Sequence, residues 1–136
     1  MYLLRLSLCC LLLLFLPLSQ AADDYLSEPV APADLQSRLD TLQAPLVVDL
    51  RKPAEFAIGH VPGAVNIPVS ELEKRIDEVR QENGVVIYCI NGARTRQAEP
   101  ILYAHDIDNV YHLDGTFQAW LKGKYRMEKG GVKKGW

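Results

Sequence analysis

The stretch VVIYCINGARTRQ, residues 85–97, places a cysteine directly after a continuous apolar run. The residues from Val85 to Tyr88 are β-branched or aromatic, which predicts a strand buried on both faces, as in the middle of a parallel sheet. Gly92 follows and permits a tight turn into a helix predicted over residues 95–105. Ligands of open parallel sheets bind beyond the carboxyl ends of the strands, so this turn is the predicted functional site.

Strands and helices alternate along the rest of the chain, with short connections between them. Further strands are predicted within residues 45–51, 63–68 and 109–113, and helices within residues 34–42, 53–59, 70–81 and 115–121. This alternation predicts an α/β fold with a central parallel sheet flanked by helices on both faces.

Two local signals refine the predicted helices. Ser70 and Glu73 have the spacing of a capping box, which predicts a regular helix start at this position. Pro100 lies inside the helix that follows the cysteine, and is expected to kink that helix or delay its start.

The N-terminal residues 1–21 have the features of a secretory signal peptide. Arg5 precedes an apolar run, and the small residues Ser19 and Ala21 occupy the −3 and −1 positions of a cleavage site. The alternative is a buried N-terminal helix, but four consecutive leucines beside two cysteines suit no amphipathic face. We therefore expect export to the periplasm, with no stable membrane insertion after the signal is cleaved.

The remaining chain has the length of one domain. We assign residues 22–33 to a polar lead-in segment, residues 34–127 to the folded domain and residues 128–136 to a basic C-terminal tail. Residues 22–121 hold 16 acidic and 8 basic residues, a balance of −8, whereas residues 122–136 hold 6 basic residues and 1 acidic residue, a balance of +5. An acidic body argues against a nucleic-acid groove, and the tail is either a solvated end or a docking element.

Cys89 is the one cysteine that remains after cleavage, so it cannot form an internal disulfide. Backbone amides of the Gly92 turn, the positive end of the following helix and the Arg94 guanidinium would together favour a thiolate. The alternative is an inert structural cysteine in a buried strand. We predict that Cys89 is a nucleophile and that the residues after it bind the substrate: Ile90, Asn91, Gly92, Ala93, Arg94 and Thr95.

Three stretches carry a resemblance to a known family: VVDLRKPAEFAIGHVPGAVNIPVSEL at residues 47–72, VVIYCINGARTRQAE at residues 85–99 and, more weakly, VYHLDGTFQAW at residues 110–120. In these stretches the sequence resembles a single-domain rhodanese, a sulfurtransferase of the periplasmic kind. The resemblance implies a rhodanese-like α/β fold with a central parallel sheet of about five strands.

The resemblance also implies a reaction. The thiolate attacks the sulfane sulfur of a small anionic donor such as thiosulfate, sulfite leaves, and a persulfide remains on Cys89. An acceptor, either cyanide or a thiol, then removes the sulfur. The family carries out this chemistry without a metal or an organic cofactor.

The length of the cysteine loop separates sulfur transfer from related chemistry. Phosphatases and arsenate reductases of this fold place five residues between the cysteine and the arginine, whereas Cys89 and Arg94 enclose four. Two features depart from the family pattern. Ile90 and Asn91 are uncharged where members adapted to thiosulfate carry cations, and Gly115-Thr116 replaces the usual Gly-Gly.

Other polar residues are interpreted as structural support. Asp49 and Arg51 could be catalytic charges, but family resemblance suggests a structural pair that holds the loops. His60 could be a base near the cysteine, but its place in GHVPGA favours a turn histidine hydrogen-bonded to backbone. His105 and His112 lack the spacing of a zinc site. Phe117 and Trp120 are predicted core residues of the last helix.

Two functions remain open from the sequence. The first is an enzyme that turns over small donors and acceptors. The second is a persulfide carrier that delivers sulfur to one protein partner in the cell envelope. A third, weaker hypothesis is redox defence through mixed disulfides without sulfur transfer.

Overall fold

The computed structural model of the protein describes residues 24–131. The predicted signal peptide, residues 1–21, and residues 132–136 of the predicted tail lie outside this range. The strands are β1 (Glu28–Val30), β2 (Leu46–Asp49), β3 (Val65–Asn66), β4 (Val85–Tyr88) and β5 (Val110–Leu113). The α-helices are α1 (Pro32–Arg38), α2 (Pro53–Ile58), α3 (Ala93–Ala104) and α4 (Thr116–Lys122), and two 3₁₀ helices span Val69–Glu71 and Glu73–Val79. None of the helices within residues 24–131 is long and apolar enough to cross a bilayer.

The five strands form one parallel sheet in the order β1-β5-β4-β2-β3. β4 lies at the centre, where all four of its residues are buried, and it pairs with β2 and β5. The predicted fold class, a parallel sheet of about five strands flanked by helices, is therefore confirmed.

Alternation along β4 divides the core into two layers, because successive side chains of a strand point to opposite faces. Val85, Ile87 and Cys89 pack in the layer that includes Leu102 of α3. Val86 and Tyr88 pack in the other layer with buried residues of α1, α2 and α4: Leu35, Phe56, Phe117 and Trp120. Phe117 and Trp120 are 2 % and 0 % exposed, so their prediction as core residues is confirmed.

Strand β1 lies within the segment that the sequence analysis described as a polar lead-in. It is a three-residue edge strand, of which only Val30 is buried, and it pairs with β5. Pro29 is tolerated there because an edge strand leaves one side without ladder partners. Local sequence signals are too weak to predict so short a strand.

A buried carboxylate on α3 holds the chain just before β1. Glu99 is 0 % exposed and accepts hydrogen bonds from the backbone amides of Leu26 (2.9 Å) and Ser27 (3.1 Å). The Ser27 hydroxyl also donates to Glu99 and lies 3.0 Å from His112 Nδ1. A distant side chain therefore fixes the path of the N-terminal segment.

The prediction of a regular helix over residues 70–81 is wrong. Two 3₁₀ helices occupy this region, and no side-chain capping bond forms at the start of either, so the capping box of Ser70 and Glu73 is absent. Arg75 has a non-helical backbone (φ −116°, ψ 22°), and its guanidinium donates to the Asn66 carbonyl and to Glu78. Leu72 and Val79 are buried, so the predicted apolar face is kept, while the tertiary contact of Arg75 with the Asn66 carbonyl overrides the local helix signal.

The helix after the cysteine also starts at a different residue from the one predicted. Pro100 does not delay it, because α3 begins at Ala93, two residues before the predicted start, and continues through Pro100 to Ala104.

Replacing Glu99 with alanine is expected to lower the free energy of unfolding by about 2–3 kcal/mol, because two backbone amides lose their acceptor. Limited proteolysis should also cut the segment before β1 faster. Urea denaturation and a proteolysis time course would measure both effects. Glu28→Ala is the matched control, since Glu28 lies on β1 itself but is exposed. Equal losses in the two variants would contradict the anchoring role of Glu99.

Candidate active site around Cys89

Cys89 directly follows β4 at the carboxyl edge of the sheet, as predicted. Its carbonyl accepts a hydrogen bond from the Phe117 amide (3.0 Å), which fixes the start of the loop against α4. Its side chain is completely buried. Gly92 precedes α3 in the left-handed region (φ 87°) and turns the chain from the strand into the helix.

Two groups donate to the Cys89 sulfur. The Gly92 amide lies 3.1 Å from Sγ, and the Thr95 hydroxyl lies 3.4 Å from it. The neighbouring Ala93 amide instead donates to Asn91 Oδ1 (3.2 Å). Sulfur therefore has one amide and one hydroxyl as donors, where the sequence analysis expected several amides.

Arg94 is paired with a carboxylate that the sequence analysis did not assign a role. Its Nη1 lies 3.1 Å from Glu55 Oε2, and the two side chains are 29 % and 34 % exposed. Glu55 belongs to α2 and also accepts from the Lys52 amide at the start of that helix (3.1 Å). The positive charge expected of Arg94 at the loop is therefore compensated by Glu55.

Asp49 and Arg51 form a buried ion pair beneath the loop. Arg51 donates to both Asp49 oxygens, with Nε 2.9 Å from Oδ1 and Nη2 2.6 Å from Oδ2. Nη2 also donates to the Gly59 carbonyl (2.7 Å), and the guanidinium lies 4.1 Å from the centroid of the Phe117 ring. The pair joins the end of β2 to the end of α2 and to α4.

Tyr88 completes this buried network. Its hydroxyl donates to Asp49 Oδ2 (2.7 Å) and accepts from the Val61 amide (3.1 Å). Burial raises the pKa of Tyr88 well above its ordinary value, and the negative charge of Asp49 raises it further. The sequence analysis counted Tyr88 only as a strand residue.

His60 lies in the turn after α2, with backbone contacts. Its Nδ1 is 2.8 Å from the Phe56 carbonyl oxygen, and its ring stacks on the Phe56 ring at 3.6 Å. His60 also forms a backbone bridge with Glu128, in which each amide donates to the other's carbonyl (3.0 Å each). The first residues of the predicted basic tail are thus attached to the domain.

Tyr25, which precedes β1, covers the cysteine loop. Its ring stacks on His112 at a centroid distance of 3.9 Å, and the Arg96 guanidinium lies 5.3 Å from its centroid. Its hydroxyl occupies the space that a Cβ at Gly92 would need. No sequence pattern in the predicted lead-in segment, residues 22–33, indicated this contact.

Thr116 links α4 to the same loop. It stands where the family usually has a second glycine, and it takes a left-handed backbone (φ 63°) that is uncommon for a β-branched residue. Its hydroxyl donates to the Ile90 carbonyl (2.8 Å), so the loop gains a side-chain contact that glycine could not make.

A pocket of about 200 Å³ opens beside the loop. Its lining residues come from α2, α4, the cysteine loop and the C-terminal segment: Arg51, Glu55, Ile58, Gly59, Ile90, Phe117, Leu121 and Met127. A larger pocket, of about 300 Å³, is lined by residues such as Gln81 and Asn109, which precede β4 and β5. It lies at the opposite edge of the sheet, away from Cys89.

No cluster of three or more histidine, cysteine or acidic side chains suited to a metal ion occurs within the described range. His105 lies 3.8 Å from Glu73, and His112 contacts Ser27 and Tyr25.

Comparisons with known proteins agree with this geometry. The family model of the rhodanese-like domain matches residues 31–123, a range that includes Cys89. The chain is similar to a sulfurtransferase of Allochromatium vinosum, with 38% identity over 88 residues, covering 65% of this chain and 82% of that protein. It is 39% identical over 83 residues to the uncharacterized protein YqhL of Bacillus subtilis, covering 61% of this chain and 65% of YqhL. The matched region thus spans just under two thirds of YqhL.

Solved structures support the same relationship. A rhodanese-related protein from Thermoplasma volcanium superposes with a TM-score of 0.65 at 26% identity, covering 74% of this chain and 97% of that chain. Nearly the whole of that protein therefore corresponds to the fold described above.

Gly92→Ala is expected to destabilise the protein by about 3 kcal/mol. The left-handed backbone costs an alanine about 1–2 kcal/mol, and overlap with the Tyr25 hydroxyl adds about 1–3 kcal/mol. Urea denaturation would measure the total. Gly63→Ala is the matched control, because Gly63 has a similar φ of 75° but no atom within 4 Å of the added Cβ. If both variants lost the same stability, Tyr25 would not be packed on the loop.

Tyr88→Phe is expected to change both the stability and its pH dependence. At pH 7 the variant should lose about 1–3 kcal/mol, because the Asp49 oxygen and the Val61 amide each lose a partner. In the wild type, the raised pKa keeps folded Tyr88 protonated at a pH where the unfolded tyrosine ionises. Its contribution is therefore complete below pH ~10 and declines as the pH rises above that value.

Urea denaturation between pH 8 and 11 would test this pH dependence. The wild type should lose stability more steeply than Tyr88→Phe above pH ~10. Tyr103→Phe is the control, since the Tyr103 hydroxyl lies near the surface and its removal should leave most of the alkaline decline in place. Parallel curves for wild type and Tyr88→Phe would show that Tyr88 does not control this decline.

Proposed function

Because the chain belongs to the family of rhodanese-like domains, we propose that it is a sulfurtransferase that holds the transferred sulfur as a persulfide on Cys89. The proposal rests mainly on the position and the hydrogen bonds of the Cys89 sulfur. It lies at the carboxyl edge of the central strand and accepts from the Gly92 amide and the Thr95 hydroxyl. The name of the related sulfurtransferase from Allochromatium vinosum supports the same reaction class.

The proposed reaction has two balanced steps. In the first, the Cys89 thiolate attacks the sulfane sulfur of a donor such as thiosulfate. The sulfur–sulfur bond of the donor breaks, and sulfite leaves with the bonding electrons. In the second, cyanide or a thiol attacks the outer sulfur of the persulfide, and the electron pair returns to Cys89 as a thiolate. The two steps need no external oxidant or reductant.

The first step begins, and the second step ends, with a negative charge on the Cys89 sulfur. Hydrogen bonds to an ionised acceptor are stronger than bonds to a neutral one. The Gly92 amide and the Thr95 hydroxyl both donate to this sulfur and are already in position before the donor arrives. Asp49, Arg51 and His60 contribute by fixing the surrounding loops.

The complete burial of Cys89 favours a second candidate function. A shielded persulfide would resist loss to small acceptors, as suits a carrier that delivers sulfur to a specific protein partner. The N-terminal segment supports placing either function in the periplasm, where the partner would be an envelope protein.

Intact-protein mass spectrometry tests the proposal directly. Wild type incubated with thiosulfate or with an organic persulfide should gain the mass of one sulfur atom, and cyanide should remove it. Cys89→Ser should gain nothing. If wild type gained no sulfur from either donor, the sulfurtransferase proposal would be wrong. Repeated turnover with cyanide would support the enzyme, whereas a single stoichiometric transfer would support the carrier.

Thr95→Val provides a graded form of the same test. Loss of one long hydrogen bond to the sulfur should slow persulfide formation by about tenfold. Thr95→Ser retains the hydroxyl and should stay within about threefold of wild type. Rapid-quench measurement of persulfide formation would compare the three proteins, and equal rates would show that the Thr95 hydroxyl plays no part.

A further inference from the structure

Exposed apolar side chains gather beside the cysteine loop. Five large apolar side chains are exposed within residues 24–131: Leu26, Leu42, Ile58, Leu121 and Met127. Three of these, Ile58 at 77 %, Leu121 at 43 % and Met127 at 42 %, line the pocket of about 200 Å³. Solvent-facing apolar groups that converge on one concavity mark a binding site more often than isolated ones do.

The pocket is joined to the nucleophile through the backbone. Ile90, which forms part of its wall, directly follows Cys89 in the chain. Phe117, on the α4 side, donates its amide to the Cys89 carbonyl (3.0 Å). A molecule held in this pocket therefore lies against the residue that directly follows the nucleophile in the chain.

The charges around the pocket are already compensated. Arg51 and Glu55 are the charged residues in its lining. Arg51 is bound to Asp49 at 2.6 Å, and Glu55 is bound to Arg94 at 3.1 Å. A dianion such as thiosulfate would lose its hydration here without meeting an uncompensated cation, which costs free energy. For an apolar group, transfer from water into the pocket is favourable.

We propose that this pocket binds the uncharged carbon skeleton of a small organic persulfide, and that such a compound is preferred over thiosulfate as the sulfur donor. The inference rests on the proposed sulfurtransferase function and names its donor class. The pocket volume is below the ~300–1,000 Å³ of sites for drug-sized ligands, so the skeleton is a short alkyl chain or a single ring.

The donor step is balanced in the same way as the step with thiosulfate. The Cys89 thiolate attacks the outer sulfur of the donor R–S–SH, and the bond between the two donor sulfurs breaks. The thiolate RS⁻ leaves with the bonding electrons and takes up a proton from water. The outer sulfur remains on Cys89 as the persulfide.

The test compares second-order rates of Cys89 persulfide formation with benzyl persulfide, which has an apolar skeleton, and with thiosulfate. Wild type should react at least about tenfold faster with benzyl persulfide. Ile58→Ser and Leu121→Ser should each reduce that rate by about tenfold and change the thiosulfate rate by less than about twofold. Leu42→Ser is the matched control, because Leu42 is fully exposed and lies outside the pocket, and it should change neither rate.

Glu55→Gln tests the charge argument with a change in the opposite direction. Releasing Arg94 from its partner should raise the thiosulfate rate by about three- to tenfold, and should raise it more than the benzyl persulfide rate. A wild type that prefers thiosulfate, or pocket variants that slow both donors equally, would overturn the inference while leaving sulfur transfer intact. A wild type that accepts sulfur from neither donor would instead overturn the proposed function.

Discussion

The structure of the functional edge depends on one buried carboxylate, Asp49. It is completely buried at the end of β2, and a charge in that position is tolerated only when hydrogen bonds replace its lost hydration. Arg51 and Tyr88 supply those bonds, and Arg51 in turn holds Gly59 and packs on Phe117. One anion thereby fixes the relative positions of β2, β4, α2 and α4 at the edge where the cysteine loop begins.

The alternation of side chains along the strand keeps this network apart from the Cys89 sulfur. Tyr88 points into the core layer below α2 and α4, and Cys89, one residue further, belongs with Ile87 to the layer below α3. The sulfur therefore receives its hydrogen bonds from its own loop and from α3, through Gly92 and Thr95. The buried ion pair and the hydrogen bonds to the sulfur therefore involve different residues, on opposite faces of one strand.

Features encoded by neighbouring residues could be predicted from the sequence. The apolar run before Cys89 indicated the central strand, and the glycine after it indicated the turn. Features created by distant contacts could not. Strand β1 is fixed partly by Glu99, more than 70 residues away, and the charge of Arg94 is compensated by Glu55 across 39 residues. Similarly, residues 70–81 have a local helix signal, which the tertiary contact of Arg75 with the Asn66 carbonyl overrides.

Both ends of the described chain return to the same site. Tyr25, before the first strand, covers the cysteine loop, and Met127, after the last helix, forms part of the pocket wall. The region recognised as the family domain, residues 31–123, contains neither of them. A protein trimmed to those limits would keep Cys89 and lose two of the side chains around its loop and the neighbouring pocket. The structural unit around Cys89 is therefore longer than the range by which the family is recognised.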